Sequence, residues 1–313
     1  KIVWHSTVGT DDIVLVDRNC HKSILHAIMM TGTVPIFLQP TRNHLGIIGP
    51  IPLDEFDPAS IQKKIDANPL IRDKSRRPRV MTITQSTYDG VMYNVETIKK
   101  SLGSYIENLH FDEAWLPHAA FHPFYHEFHA IGANRSRCTD SMVFSTQSTH
   151  KLLAGLSQAS QILVQDSESR KLDQYRFNEA YLMHTSTSPQ YAIIASCDVA
   201  AAMMEAPGGT ALVEESLDEA LEFRRAMRKV DVEYGEIIVR RMLHGLVQCA
   251  ALEAAAIRAL QGDDIKAFGA QFGRYGTRER RRLVGAVIED LYVQLVSGPI
   301  ESGGGLDTPA QYR

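Results

Sequence analysis

Short runs of consecutive apolar residues alternate, along the first half of the chain, with stretches whose apolar residues recur every three or four positions. "DIVLVD" (12–17) is an unbroken apolar run ending in Asp17 and predicts a buried strand. "CHKSILHAIMMTG" (20–32) has helical spacing and closes at Gly32, a residue suited to ending a helix. "VPIFLQP" (34–40) predicts the next strand, bounded by prolines, and "DPASIQKKIDANP" (57–69) a helix stopping before Pro69. "RVMTITQ" (79–85), "IENLHFDEA" (106–114) and "SMVFSTQS" (141–148) read as further strands, with "NVETIKKSLG" (94–103) as a helix among them. Strands and helices in this order predict an α/β fold, a mostly parallel sheet with helices on both faces. The residues before Asp12 lead almost directly into the first strand. With no methionine in front, the sequence reads as cut from something longer.

After Lys151 the pattern turns helical. "FNEAYLMHTSTSPQYAIIASCDVAAAMME" holds a hydroxyl-rich break (185–188) and then a long helix through Met204, and "GGTALVEESLDEALEFRRAMRKV" is one amphipathic helix. From about residue 231 three helices follow with no strand between them, and "SGGGLDTPAQYR" reads as a flexible tail. The expected division is therefore a sheet-containing domain over 1–229, an all-helical segment over 230–300 and a tail over 301–313.

Composition narrows the function class. The 313 residues are 44% hydrophobic and 22% charged, enough to bury a sizeable core. A formal charge of −4 gives no general reason to expect a nucleic acid or an anionic membrane as partner. Cys20, Cys138, Cys197 and Cys249 are far apart and form no CxxC pair, which points to a reducing compartment, the cytoplasm. No apolar stretch has the length of a bilayer span.

The sharpest chemical signal lies in "FSTQSTHKLLAGLSQASQI" (144–162), where Lys151 follows hydroxyls and an imidazole and precedes small and apolar residues. A lysine whose pKa is lowered by burial becomes a nucleophile, and its usual task is a Schiff base with a carbonyl, pyridoxal 5'-phosphate (PLP) being the commonest. Such a site needs a carboxylate for the ring nitrogen, donors for the phosphate and a flat group over the ring. Asp112 stands at the end of a different predicted strand. Ser148 lies three residues before Lys151, and His21 in "DRNCHKS" is a stacking candidate. Ligands gather at such strand ends in parallel sheets. The plainer reading of Lys151 is a partly solvated lysine at a helix start.

"LVDRNCHKSILHAI", "GIIGPI", "STYDG", "LHFDEAW", "TQSTHKLLAGLSQAS" and "MHTSTSPQY" together resemble the bacterial ornithine/lysine/arginine decarboxylases, PLP enzymes of the aspartate-aminotransferase fold type, over roughly residues 1–229. The resemblance implies Lys151 as the Schiff-base lysine, Asp112 as partner of the pyridinium nitrogen and His21 as the ring-stacking residue. It implies Ser148 as a phosphate ligand, with Ser186 of a neighbouring subunit reaching the same phosphate in a homodimer or larger assembly. Trp115 and His150 would flank the cofactor. The implied reaction is decarboxylation of a basic amino acid. Family members also carry a hydroxyl-rich, phosphate-cupping segment upstream of the "KIVWH" equivalent, and residues 231–313 resemble none of their later parts. The alternative expectation is a non-catalytic piece of this fold acting as an association module.

Other signals carry less. His118, His122, His126 and His129 have helical metal-ligand spacing, but Pro117 and Pro123 interrupt any helix there, so a loop is expected and no metal. "RERRR" (278–282) and "IRDKSRRPR" read as solvated segments. Met29, Met30, Met203 and Met204 fall at helical positions and are expected in the core.

Overall fold

The computed structural model describes residues 1–44, 46–132 and 135–227. The helices and tail expected beyond residue 230, "RERRR" included, lie outside them.

Six strands form one sheet in the order β2-β1-β3-β4-β5-β6: β1 (Ile13–Asp17), β2 (Val34–Leu38), β3 (Val80–Thr84), β4 (Asn108–Asp112), β5 (Met142–Gln147) and β6 (Gln161–Gln165). The first five strands are mutually parallel and β6 returns antiparallel to β5. The expected mostly parallel sheet is present. The antiparallel edge strand was not expected, because "QILVQ" is a short run between glutamines, every residue of it only half-buried.

Side chains alternate across a strand, so each strand feeds two cores. Ile13, Leu15, Met81, Ile83, Leu109, Phe111 and Val143 face one side and pack under α3 (Pro58–Ala67) and α4 (Val95–Leu102) through Ile61, Ile65, Ile98 and Leu102. Val14, Val16 and Val80 face the other side, against Trp4 of α1 (Ile2–Thr7) and Ile24 and Ala27 of α2 (Lys22–Thr31). Each fully buried side chain of this size is worth about 1.5–3 kcal/mol, so the two-sided burial dominates the fold. The residues ahead of β1 are helical, a correction to their expected direct entry into a strand: Val3 and Trp4 are needed as a cap on this second face.

Local signals set the helix ends. Asp57, Asn94 and Asp173 each accept a backbone N–H two or three residues into α3, α4 and α6 (Gln174–His184). Gly32 ends α2 in the left-handed conformation at φ 68°. The break at 185–188 separates α6 from α7 (Tyr191–Met203), and α8 (Gly208–Met227) follows. Of the four methionines expected in the core, only Met204 is buried. Met29, Met30 and Met203 are exposed, because α2 buries the Ile24, Ala27 and Thr31 stripe and turns Met29 and Met30 away from it, and α7 buries little but Ala200.

Candidate active site

Of the parallel strands, β1, β3, β4 and β5 end in polar residues, Asp17, Thr84, Asp112 and Gln147. Thr84 of β3 pairs with Asp112 of β4, and Asp112 pairs with Thr146 of β5. Beyond this edge lies a cavity of about 350 Å³ lined by Asp112, Ala114, Thr146, Gln147, Ser148, Gln161, Ile162 and His184, among others. Asp112 and Ser148, expected at strand ends on sequence grounds, therefore share one cavity. Thr146, Gln161 and His184 are added by the structure.

Asp112 is largely buried. Burial pushes its carboxyl above the usual range, opposed by the charge of His21, a bond from the Ala114 N–H, the charge of Lys151 and the Thr146 hydroxyl. The Thr146 Oγ1 donates to Asp112 Oδ1 over 3.3 Å. No cation forms an ion pair with Asp112 among the described residues, so it keeps acceptor capacity toward the cavity.

Lys151 sits in α5 (Thr149–Leu152), one turn directly after β5. Its Nζ lies 4.4 Å from the centre of the Trp115 ring, which itself meets Tyr88 edge-on. Burial draws the Lys151 amine below the ordinary lysine range, and the charge of Asp112 partly restores it. Ser148 precedes α5, and its hydroxyl makes no capping bond. His150 donates from Nδ1 to the Ala159 carbonyl at 2.8 Å, which fixes its ring beside Lys151 in sequence but outside the cavity lining. His21 caps α2, accepting the Ser23 N–H at 3.3 Å with its exposed ring, and its charge reaches Asp112. Ser186 is exposed in the α6–α7 loop and bonds only locally, accepting from the Ser188 N–H at 3.1 Å; it does not line this chain's own cavity.

Glu113, adjacent to Asp112, points the other way. It is fully buried and accepts from the Ala130 N–H at 2.5 Å, the Ser145 hydroxyl at 2.5 Å and the Gln147 side chain at 3.0 Å. It thereby ties the end of β4 to the histidine-rich loop. In that loop His122 meets Glu214, and His118 packs edge-on against Tyr125. Among the described residues no group of three or more His, Cys, Asp or Glu could hold a metal ion. No helix among them is long and apolar enough to cross a membrane.

The cavity thus presents a largely buried carboxylate with spare acceptor capacity and an uncommitted hydroxyl, while Lys151, an amine of lowered basicity on the face of Trp115, lies near Asp112 but outside the residues that line the cavity, as does His21. Comparison with known proteins gives this set a context. A lysine decarboxylase of Pseudomonas aeruginosa is 60% identical over 230 residues, covering 74% of this chain and 30% of the relative. The biodegradative arginine decarboxylase of Escherichia coli is 44% identical over 235 residues, covering 75% of this chain and 31% of the relative. The solved structure of lysine decarboxylase A from Pseudomonas aeruginosa superposes with a TM-score of 0.69 at 58% identity, over 75% of this chain and 31% of that one. The chain thus spans about 30% of the length of these relatives. The family described as Orn/Lys/Arg decarboxylase, major domain, matches residues 1–255. A match of that extent means that this chain belongs to the Orn/Lys/Arg decarboxylase major-domain family.

Proposed function

We propose that this chain forms the cofactor-binding part of a PLP-dependent decarboxylase of basic amino acids. The observation that carries the reading is the Asp112–Lys151–Trp115 arrangement at the ends of β4 and β5. The residues present suit that cofactor. Asp112 is a carboxylate with room for one more donor, as a protonated ring nitrogen requires. Lys151 would hold the aldehyde carbon through Nζ, and Ser148 would donate to the phosphate.

When bound, the cofactor supplies the electron sink that makes loss of CO2 from an amino acid feasible. The chain's own contribution is placement and charge. Asp112, oriented by the Ala114 N–H and the Thr146 hydroxyl, would supply the negative charge for the ring nitrogen. Lys151, its basicity lowered by burial, exists as the free amine at lower pH than a solvated lysine and can accept or return a proton at Nζ. Trp115 holds that amine in place. His21, at the cap of α2, and His150, within α5, would flank the site.

Lysine is the first substrate to test, because the relative at 60% identity is a lysine decarboxylase; arginine and ornithine follow. The proposed assembly is a homodimer or larger, with Ser186 of one subunit reaching the phosphate of the other. Its support is the exposed Ser186 and α7, apolar on all sides yet largely uncovered, with Tyr191, Ile194 and Val199 more than half exposed. Cys20, Cys138 and Cys197 are free thiols, which suits the proposed cytoplasmic location.

The deciding test is an absorption spectrum of the protein with added PLP. A visible band from cofactor joined to Lys151, absent in Lys151→Ala, is expected. Labelled CO2 release from the three substrates then fixes the specificity. No band in the wild-type protein would overturn the reading in favour of the association module.

A further inference from the structure

Three threonine and histidine side chains on the α1 face of the sheet connect the interior to Asp112. Trp4 Nε1 lies 3.0 Å from Thr82 Oγ1, and Thr82 Oγ1 lies 3.0 Å from His110 Nδ1. His110 Nε2 lies 3.1 Å from Thr146 Oγ1, which in turn lies 3.3 Å from Asp112 Oδ1. The strand register explains the line: Thr82 pairs with His110 across β3 and β4, and Asp112 pairs with Thr146 across β4 and β5.

The two ends of this line have fixed roles. An indole N–H only donates, and an ionised carboxylate only accepts. Thr82 therefore accepts from Trp4, and its own proton has one partner among the described residues, His110 Nδ1. That leaves Nδ1 bare and places the ring proton on Nε2, which donates to Thr146, and Thr146 donates to Asp112. Only this direction satisfies every group. In the reverse tautomer the Thr82 hydroxyl proton, wholly buried, would have no acceptor. His110 is 2% exposed, and burial drives its pKa down to about 3, so an imidazolium with protons on both nitrogens is excluded at neutral pH.

We infer that Trp4, Thr82, His110 and Thr146 form a one-way hydrogen-bond relay that orients the Asp112 carboxylate and holds it as the terminal acceptor. His110 is thus a positioning residue acting on the cofactor nitrogen through Asp112, an inference that rests on the role proposed above for Asp112. Each link polarises the next, so the line is stronger than its separate bonds.

Long-range proton–nitrogen NMR on the cofactor-free protein reads the His110 tautomer directly. The neutral Nε2–H form is expected from pH 7 down to pH 5; an Nδ1–H ring or an imidazolium in that range overturns the relay. Carboxyl-carbon NMR of Asp112 gives the second readout. Its midpoint should rise by about one pH unit in Thr146→Val and return in Thr146→Ser, and an unmoved midpoint in Thr146→Val overturns the inference. Both readouts are made without PLP, so a wild-type protein with no visible band would sink the cofactor reading while the tautomer and the midpoint still decide the relay.

Discussion

At the scale of single residues, burial and hydrogen-bond supply decide what each titratable group can do. Lys151 and Asp112 are both pushed by burial toward their neutral forms and drawn back by each other's charge. His118 has no such compensation: its Nδ1 has no partner among the described residues, and burial lowers its pKa to about 4. A histidine whose folded pKa lies below its unfolded value binds fewer protons when folded. Its share of stability is intact above about pH 6.5 and is lost as pH falls toward 4. His110 and His129 add to the same trend, while the raised carboxyls of Asp17, Asp112 and Glu113 oppose it, since the folded state holds those protons more tightly. Replacing His118 by Phe keeps the edge-on packing against Tyr125 and removes the titration. Stability measured by denaturant titration should then fall less between pH 6.5 and 4, by ~1–3 kcal/mol; an unchanged pH slope would mean that His118 is solvated.

At the scale of elements, Gly32 is the position where backbone conformation rather than side-chain chemistry ends a helix. Its φ is 68°, and a Cβ built there would approach Thr10 Oγ1 to 3.3 Å. Gly32→Ala should lower the denaturant midpoint by an amount equivalent to ~1–2 kcal/mol with an unchanged slope; a midpoint equal to wild type would show that the turn relaxes freely. Gly32 was legible in the sequence because it closes a periodic run, as were the helices that begin after Asp57 and Asn94. β1 and β2 were legible because they read as continuous apolar runs, and β3, β4 and β5 kept enough apolar residues between polar flanks to be read as strands. β6 was not, since an edge strand with half-buried residues has neither a continuous run nor a clean alternation. In the site, Asp112, Ser148 and Lys151 stood out by residue type. His110 and Thr146 did not, although the two-residue period of β4 already put His110 on the face of Asp112. Recognising their part needed the cross-strand register, which no single segment contains.

At the scale of the whole molecule, α7 is, with α6, an element that the rest of the described chain leaves largely uncovered. This 13-residue helix buries only Ala200 and leaves Tyr191, Ile194, Val199 and Met203 on the surface, the kind of apolar patch that marks an interaction face. A charge in that surface should break self-association: Ile194→Asp is expected to lower the mass found by sedimentation velocity at matched concentration. An unchanged mass would move the subunit contact elsewhere. The sheet itself sets a different limit on change. Asp112 and Glu113 are neighbours in the chain, yet one borders the cavity and the other lies in the core because side chains alternate across β4. Point substitutions along β4 alter one contact at a time. A single inserted codon there would move Asp112 into the place of Glu113, in the pocket built by Ser145, Gln147 and Ala130, and a single deleted codon would move Glu113 into the place of Asp112, beside Thr146. The length of this strand is therefore under tighter constraint than its composition, and sequence drift in the family should be recorded in β4 as replacements and never as gaps.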